Sequence, residues 1–315
     1  MKETPPAAGF TSQPYAGIAT FGRRRHTREL EGVDVAILGV PYDGSTSYRS
    51  GTRFGPRAIR EQSLLLWGYN NVQEVAPFEA LQIVDYGDVE VVPVDVGATH
   101  RAVQAEASTI LAAGATLIAV GGDHSMSLPL LRAHASKHGP VALIQFDAHP
   151  DTWDQEFGEF KYSHGTPFRR AAEERLIDTS AWVQIGIRGP TAGPQDYGDA
   201  KALGARMITL DEALALGTAA VVEEVRRRVG DRPAYVTLDI DSVDPAFAPG
   251  TGTPEVGGFT SYQILQLVRG LKGLNLVGFD LVEVSPPFDH GNITAVLAAN
   301  LVFEYLSLVA LRRVV

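Results

Sequence analysis

Short, continuously apolar segments alternate with helix-like segments along this chain, and that alternation constrains its fold more than any other feature. A strand covered on both faces is apolar throughout, whereas a strand with one face in water alternates apolar and polar residues. Eight segments are of the first kind: DVAILGV (34–40), LQIVD (81–85), TLIAV (116–120), VALIQF (141–146), WVQIGI (182–187), RMITL (206–210), YVTLDI (235–240) and LVGFDLVEV (276–284). Because helix-like segments separate most of them, we predict an α/β fold of three layers, α/β/α, with a central, mostly parallel eight-stranded sheet.

The domain organisation follows from length and the absence of linkers. A chain of 315 residues that is 45% hydrophobic can bury one large core, and it contains no low-complexity segment or internal repeat. The first residues, by contrast, show neither strand nor helix periodicity. We therefore predict an irregular N-terminal arm at 1–32 and a single catalytic domain at 33–315.

Charge and composition narrow the range of partners. A formal net charge of -10 argues against a nucleic-acid partner, which would require a basic face. The chain contains no cysteine, so a thiol nucleophile, a thiolate metal site and a disulfide are all excluded. The N-terminus lacks the basic and apolar regions of a signal peptide, and we expect a cytoplasmic protein.

One apolar stretch, ITAVLAANLVFEYLSLVAL (293–311), approaches the length that spans a membrane. It carries Asn300 and Glu304, which are expensive to place in lipid. We predict a largely buried helix and no membrane partner.

Carboxylates and imidazoles follow several of the predicted strands. GGDHS (121–125), DAHPD (147–151) and DIDSVDP (239–245) each come at or directly after a strand end. In parallel α/β sheets the ligand site lies at the carboxyl ends of the strands, and alternate residues of an extended segment share a face about 6–7 Å apart. Asp147 with His149, and Asp239 with Asp241, can therefore reach one small central object.

That object is predicted to be a pair of metal ions. Several aspartates cannot lie together uncompensated, because like charges raise each other's pKa or drive the groups apart. Two divalent cations would neutralise four carboxylates. Oxygen ligands with a minority of imidazole suit Mn²⁺, with Ni²⁺ and Co²⁺ as less specific possibilities.

The motifs GGDHS, FDAHPD, SHGTPF and DIDSVDPAFAPGTGTPEVGG resemble those of the ureohydrolase (arginase/agmatinase) family. The resemblance extends from about Val33 to the C-terminus. It is closer to agmatinase, guanidinobutyrase and proclavaminate amidinohydrolase than to arginase, and it implies an arginase-like fold. It also implies a homotrimer or homohexamer.

The resemblance assigns the metal ligands by position. It implies that two Mn²⁺ ions are held by six residues: His124 and Asp151 on one ion, His149 and Asp241 on the other, and Asp147 and Asp239 between the two. All six positions are filled, which leaves a non-catalytic regulatory homologue as a minor alternative. A deacetylase-type amide hydrolase is disfavoured because the chain has no tandem pair of histidines.

The same resemblance implies the reaction, which is hydrolysis of a linear guanidino compound to urea and a primary amine by a metal-bridging hydroxide. Asp151 would pass a proton to the leaving amine. Glu283 would pair with the substrate guanidinium, and His164 would act in proton transfer beside it.

The substrate tail is predicted less directly. The loop after DAHPD carries Asp154, Glu156 and Glu159, which could attract the second amine of agmatine, so agmatine to putrescine is the first expectation. His290 is expected near the mouth of the site.

Two alternatives stay open. A guanidino-acid hydrolase of the 4-guanidinobutyrase, guanidinopropionase or proclavaminate amidinohydrolase type would need a cation for the carboxylate, for which Arg188, Arg49 and Lys161 are candidates. A biguanide hydrolase is the other.

Overall fold

The structure is a computed structural model that describes residues 13–314. Nine strands form one sheet within this range: β1 (Arg25–His26), β2 (Val35–Val40), β3 (Ile83–Asp88), β4 (Thr116–Gly121), β5 (Val141–Phe146), β6 (Ile177–Ile187), β7 (Arg206–Thr209), β8 (Ala234–Asp239) and β9 (Leu276–Val282). The α-helices of the same range are α1 (Gly55–Ser63), α2 (Pro77–Ala80), α3 (Val96–Ala112), α4 (Ser127–His138), α5 (Pro167–Glu173), α6 (Gln195–Ala202), α7 (Leu210–Leu216), α8 (Thr218–Val229), α9 (Ser261–Gly270) and α10 (Ile293–Val314).

The strand order is β1-β3-β2-β4-β9-β8-β5-β6-β7, and every described pairing is parallel. Successive residues of each strand point to opposite faces, so Ile118 and Val120 enter one apolar cluster and Leu117 and Ala119 the other. Residues of α8, α9 and α10 pack into the first cluster, and residues of α3, α4 and α5 into the second. The predicted three-layer α/β/α fold is therefore confirmed.

The sheet has one strand more than the eight expected. The extra strand, β1, lies inside the segment that was predicted to be an irregular arm, and it pairs with β3 at the edge of the sheet. Its two residues are exposed, so no apolar run marks it. Burial of Phe21 and a 2.8 Å bond from its N–H to Asp85 Oδ2 hold this segment to the sheet. Residues 1–12 of the predicted arm lie outside the described range.

Helix α10 is the one described helix that is long and apolar enough to cross a membrane, but 83% of its apolar window is buried inside the protein. Its Glu304 is engaged by neighbours in the fold, accepting from Gln73 Nε2 at 2.7 Å and Asn70 Nδ2 at 3.0 Å and pairing with Arg269. A helix whose charged group is bonded within the core needs no lipid, which supports the predicted core helix.

The four strands that precede the acidic motifs are consecutive neighbours in the sheet, in the order β4-β9-β8-β5. Because they are parallel, their carboxyl ends meet at one edge. The residues that follow them are thereby brought together.

Candidate metal centre

The ends of these four strands bury the predicted site residues. Asp147 directly follows β5, Asp239 ends β8, and Glu283 directly follows β9. His124 begins a short 3-10 turn after β4. The side chains of all four are at most 4% exposed, although none is apolar.

The first group of ligand atoms surrounds the Nδ1 atom of His124. Asp151 Oδ2 lies 2.9 Å from it, and Asp147 Oδ2 and Asp239 Oδ2 lie 3.3 Å from it. This buried nitrogen has no hydrogen-bond partner among the described residues. Three carboxylate oxygens around one bare imidazole nitrogen form the kind of donor set that a divalent cation occupies.

The second group consists of Asp147, His149 and Asp241. His149 Nδ1 lies 2.9 Å from Asp241 Oδ2 and 3.8 Å from Asp147 Oδ1. Asp147 thus directs one oxygen to each group, as a bridging ligand must. Asp239 belongs to the first group of potential ligands only, so its predicted bridging role stays a prediction.

The carboxylates of the two groups repel one another unless positive charge lies between them. Burial and the neighbouring carboxylates of Asp151 and Asp241 raise the pKa of Asp147 to about 7. Burial and the neighbours Asp241 and Asp147 raise the pKa of Asp239 well above its usual range. Cations in the site would remove this repulsion. The carboxylate oxygens and the two imidazoles, one of them with an unpaired buried nitrogen, fit two divalent metal ions.

The tautomer of His124 is set by two residues outside the ligand groups, Thr237 and Asp280. His124 Nε2 lies 2.8 Å from Thr237 Oγ1, and the Thr237 hydroxyl donates to Asp280 Oδ1 at 2.6 Å. Since that hydroxyl hydrogen is committed to Asp280, its oxygen accepts the His124 Nε2–H. In the neutral ring the lone pair of Nδ1 then faces the carboxylates, which is the tautomer a metal ligand requires.

Sequence reasoning missed Thr237 and Asp280. Both lie inside strands, where they are register partners on β8 and β9. A signal was available, since each is a polar residue in the middle of an otherwise apolar run, and a buried polar side chain requires a partner.

Replacing Thr237 with valine removes the hydroxyl at nearly constant volume, and we expect metal affinity to fall about 10- to 100-fold because His124 loses its acceptor. Competition with a calibrated chelator measures this. Thr237→Ser retains the hydroxyl and should bind metal as the unmodified protein does. Equal affinity in the valine variant would show that Thr237 does not orient His124.

Two residues of the site have a left-handed backbone conformation. The φ angles of Asp151 and Glu283 are +50° and +64°. For residues other than glycine this conformation costs on the order of 1–2 kcal/mol and persists where surrounding structure enforces it. Its occurrence at a metal-ligand candidate and at the predicted guanidinium partner supports a functional reason for both positions.

Glu283 and His164 form a second unit next to the ligand groups. Glu283 Oε1 accepts from the His124 N–H at 2.9 Å and lies 3.1 Å from His164 Nδ1. The N–H of Ser47 donates to His164 Nε2 at 3.0 Å, so in the neutral ring the proton is on Nδ1 and points to Glu283. The other oxygen, Glu283 Oε2, is buried and has no partner among the described residues.

The charge of His164 depends on what fills the site. Burial lowers its pKa, but the neighbouring Glu283 and, more weakly, Asp151 outweigh burial and raise the pKa to about 9. Two cations held by the carboxylates would oppose that rise. The bond from the Ser47 N–H can form only with the neutral ring, so it favours the state that bound cations would produce.

Two residues predicted to bind the substrate tail are engaged elsewhere. Asp154 is exposed and pairs with Arg170 at 2.7 Å and Arg169 at 3.5 Å. Arg188 donates to five backbone carbonyls, those of Gly186, Asp241, Ser242, Glu255 and Val256. Its guanidinium holds the loop after β8 in place, contrary to its predicted role as a substrate anchor.

The remaining candidates differ in their placement. His290 is exposed and lines a cleft together with Arg49. Lys161 is exposed and is not among the residues that line this cleft. Glu255, not considered a site residue from the sequence, places Oε1 3.6 Å from His149 Nε2.

Comparison with known proteins gives consistent results. The family model described as the Arginase family matches residues 33–307. Guanidinopropionase of Pseudomonas aeruginosa is 47% identical, with 94% of this chain and 93% of that protein covered, and mitochondrial agmatinase of Gallus gallus is 45% identical, with 96% and 88% covered. The solved structure of proclavaminate amidino hydrolase from Streptomyces clavuligerus superposes with a TM-score of 0.91 at 45% identity, covering 95% of this chain and 99% of that one.

Proposed function

The chain belongs to the arginase family and is a hydrolase acting on guanidino compounds, and from this premise we propose that it cleaves a small linear guanidine to urea and a primary amine. The observation that carries the proposal is the free oxygen of Glu283. A buried carboxylate oxygen without a partner is unfavourable unless a ligand satisfies it. The planar, charged N–H donors of a guanidinium match it, and the metal-ligand groups lie directly beside it.

The residues of the chain divide the chemistry between them. Six side chains, those of His124, Asp147, His149, Asp151, Asp239 and Asp241, would hold two metal ions, proposed to be Mn²⁺. When bound, such a pair activates water for attack at neutral pH. Glu283 then orients the guanidinium carbon toward these ligands, and His164 keeps Glu283 in position through its Nδ1–H.

The proton balance of the reaction requires a base, and we assign this role to Asp151. Attack by water on the guanidinium carbon forms a C–O bond and breaks the C–N bond to the tail. The leaving nitrogen must gain protons to depart as an ammonium ion, while urea departs neutral. Both protons come from the attacking water. The Asp151 carboxylate, which lies 2.9 Å from His124 Nδ1 within the ligand group, would accept them in turn and pass them to the leaving nitrogen.

Two substrate classes are candidates within this reaction. Agmatine was expected first, on the basis of the acidic loop and the negative net charge, and a relative of that name aligns over nearly the whole chain. Guanidino acids are the second, since relatives named for such substrates align equally well. The arginine in the cleft, Arg49, favours the second class.

Removing metal should abolish urea release, and adding Mn²⁺ should restore it. The experiment dialyses the protein against a chelator, reloads it with Mn²⁺ or Ni²⁺, and measures urea from agmatine, 4-guanidinobutyrate, 3-guanidinopropionate, arginine and a biguanide. Release from at least one linear guanidine, dependent on metal, is the expected result. If the metal-loaded protein releases urea from none of these compounds, the result would favour the non-catalytic regulatory homologue.

A further inference from the structure

A cleft of about 530 Å³ lies between Arg49, the loop that follows β8 and the segment that follows β9. Four prolines, together with Val256 and Phe288, form its apolar walls. Three polar residues complete it: Arg49, Asp289 and His290. Proline walls are rigid, so the chemistry of the cleft depends on these three side chains.

The main chain at Arg49, a residue that lines the cleft, lies close to the carboxylate of Glu283. A Cβ atom added to Gly252 would lie 3.0 Å from the backbone oxygen of Arg49 and 3.5 Å from Glu283 Oε2. The main chain at Arg49 and the free oxygen of Glu283 therefore border the same small volume. A ligand with its guanidinium on Glu283 can extend its tail toward Arg49.

The loop that carries Arg49 is held in a defined position. Asp43 accepts the Gly51 N–H at 2.7 Å and pairs with Arg53. Ser47, two residues before Arg49, contacts His164. One ordered loop thus contacts the guanidinium end of the site and lines the cleft.

Arg49 carries the uncompensated charge of the cleft. Among residues 13–314 no carboxylate pairs with it, and its guanidinium carbon instead lies 4.9 Å from the Phe288 ring centroid and 5.4 Å from that of Tyr48. Asp289 is occupied, because its two carboxylate oxygens each accept a backbone N–H at 3.0 Å at the start of α10. A helix N-terminus stabilises a carboxylate and offsets its charge.

Of the three acidic residues expected to receive a cationic tail, Asp154 and Glu156 are already engaged, and the exposed Glu159 does not line the cleft of Arg49. Asp154 pairs with Arg170 and Arg169, and it borders a different cleft. Glu156 Oε2 accepts from Ser163 Oγ and from the Gly165 N–H. The unpaired charge of the cleft is that of Arg49 and is positive, which favours an anionic tail.

We propose that Arg49 is the specificity-determining residue of this site and binds the carboxylate of an ω-guanidino carboxylic acid. The inference rests on the proposed function, since Glu283 must hold the other end of the same substrate. A guanidinium presents parallel N–H donors that match a carboxylate in two hydrogen bonds. Stacking on Phe288 and Tyr48 orders it before the substrate arrives, so less freedom is lost on binding.

The test compares kcat and KM of Arg49→Gln and of the unmodified, Mn²⁺-loaded enzyme for 4-guanidinobutyrate and for agmatine. We expect the unmodified enzyme to prefer the acid. In the variant, kcat/KM for the acid should fall about 10- to 100-fold. The fall should come from a higher KM with kcat little changed, because a tail contact is made equally in the ground state and the transition state. Agmatine turnover and metal content should not fall.

Arg57→Gln, which alters an exposed arginine on α1, is the matched control and should leave both substrates unaffected. An equal loss on both substrates, or a loss confined to kcat, would overturn the assignment of Arg49, as would a preference of the unmodified enzyme for agmatine. Absence of urea from both substrates in the unmodified enzyme is a separate result, and it would overturn the proposed function itself.

Discussion

Replacing Asp147 with asparagine should reduce urea release by more than about 1,000-fold and lower the bound metal from two ions per chain. Asp147 directs Oδ2 to within 3.3 Å of His124 Nδ1 and Oδ1 to within 3.8 Å of His149 Nδ1, so it serves both ligand groups. An asparagine is neutral and replaces one of these oxygens with an N–H donor. One group then loses an oxygen ligand, and the other keeps a neutral amide oxygen where it had a carboxylate oxygen.

The metal content separates this effect from misfolding. Burial and neighbouring carboxylates raise the pKa of Asp147 to about 7, so its charge opposes folding of the metal-free chain above that pH. We therefore expect metal-free Asp147→Asn to melt no earlier than the metal-free parent at pH 8, although it has lost activity. Elemental analysis and thermal unfolding measure the two quantities, and Asp211→Asn, an exposed residue on α7, is the control. Retained activity in Asp147→Asn would contradict the binuclear assignment.

The fold could be predicted from the sequence wherever burial fixed the residue types. The strands β2, β4, β5, β8 and β9 are buried on both faces, and each is a largely apolar run. The edge strand β1 was missed because its two exposed residues carry no such pattern. What holds it, Phe21 against Asp85, is a contact between segments 64 residues apart.

The strand ends predicted where the metal-ligand candidates would gather, through the alternate spacing of Asp147 with His149 and of Asp239 with Asp241, and the full set of six was assigned by the family resemblance. Thr237 and Asp280 are marked in the sequence only as polar residues within apolar runs, and their relation to His124 could not be predicted because it depends on the register of β8 against β9. Arg188 and Arg49 show the same limit, because the sequence does not tell which of two loop arginines faces the substrate. Both are arginines in loops, but one donates to five backbone carbonyls and the other faces a cleft without a carboxylate partner among the described residues.

Replacing Glu283 with glutamine should lower kcat/KM by about 30- to 5,000-fold, the range set by losing one charge of a buried pair. Glu283 Oε1 accepts from two donors, so the amide oxygen of glutamine is held there and the amide nitrogen takes the position of Oε2. An N–H donor would then face the N–H donors of the substrate. Simple guanidinium ion, as a competitive inhibitor, should lose affinity in parallel.

This variant distinguishes substrate recognition from a purely structural ion pair. If Glu283 served only to anchor His164, Glu283→Gln would lower stability while the inhibition constant of guanidinium ion stayed unchanged, and that outcome would contradict the proposed role. Glu223→Gln, on the exposed face of α8, is the matched control. Because Glu283 is outside both ligand groups, its variant should retain two metal ions per chain, whereas Asp147→Asn should not. The two variants therefore separate binding of the guanidinium from assembly of the metal centre.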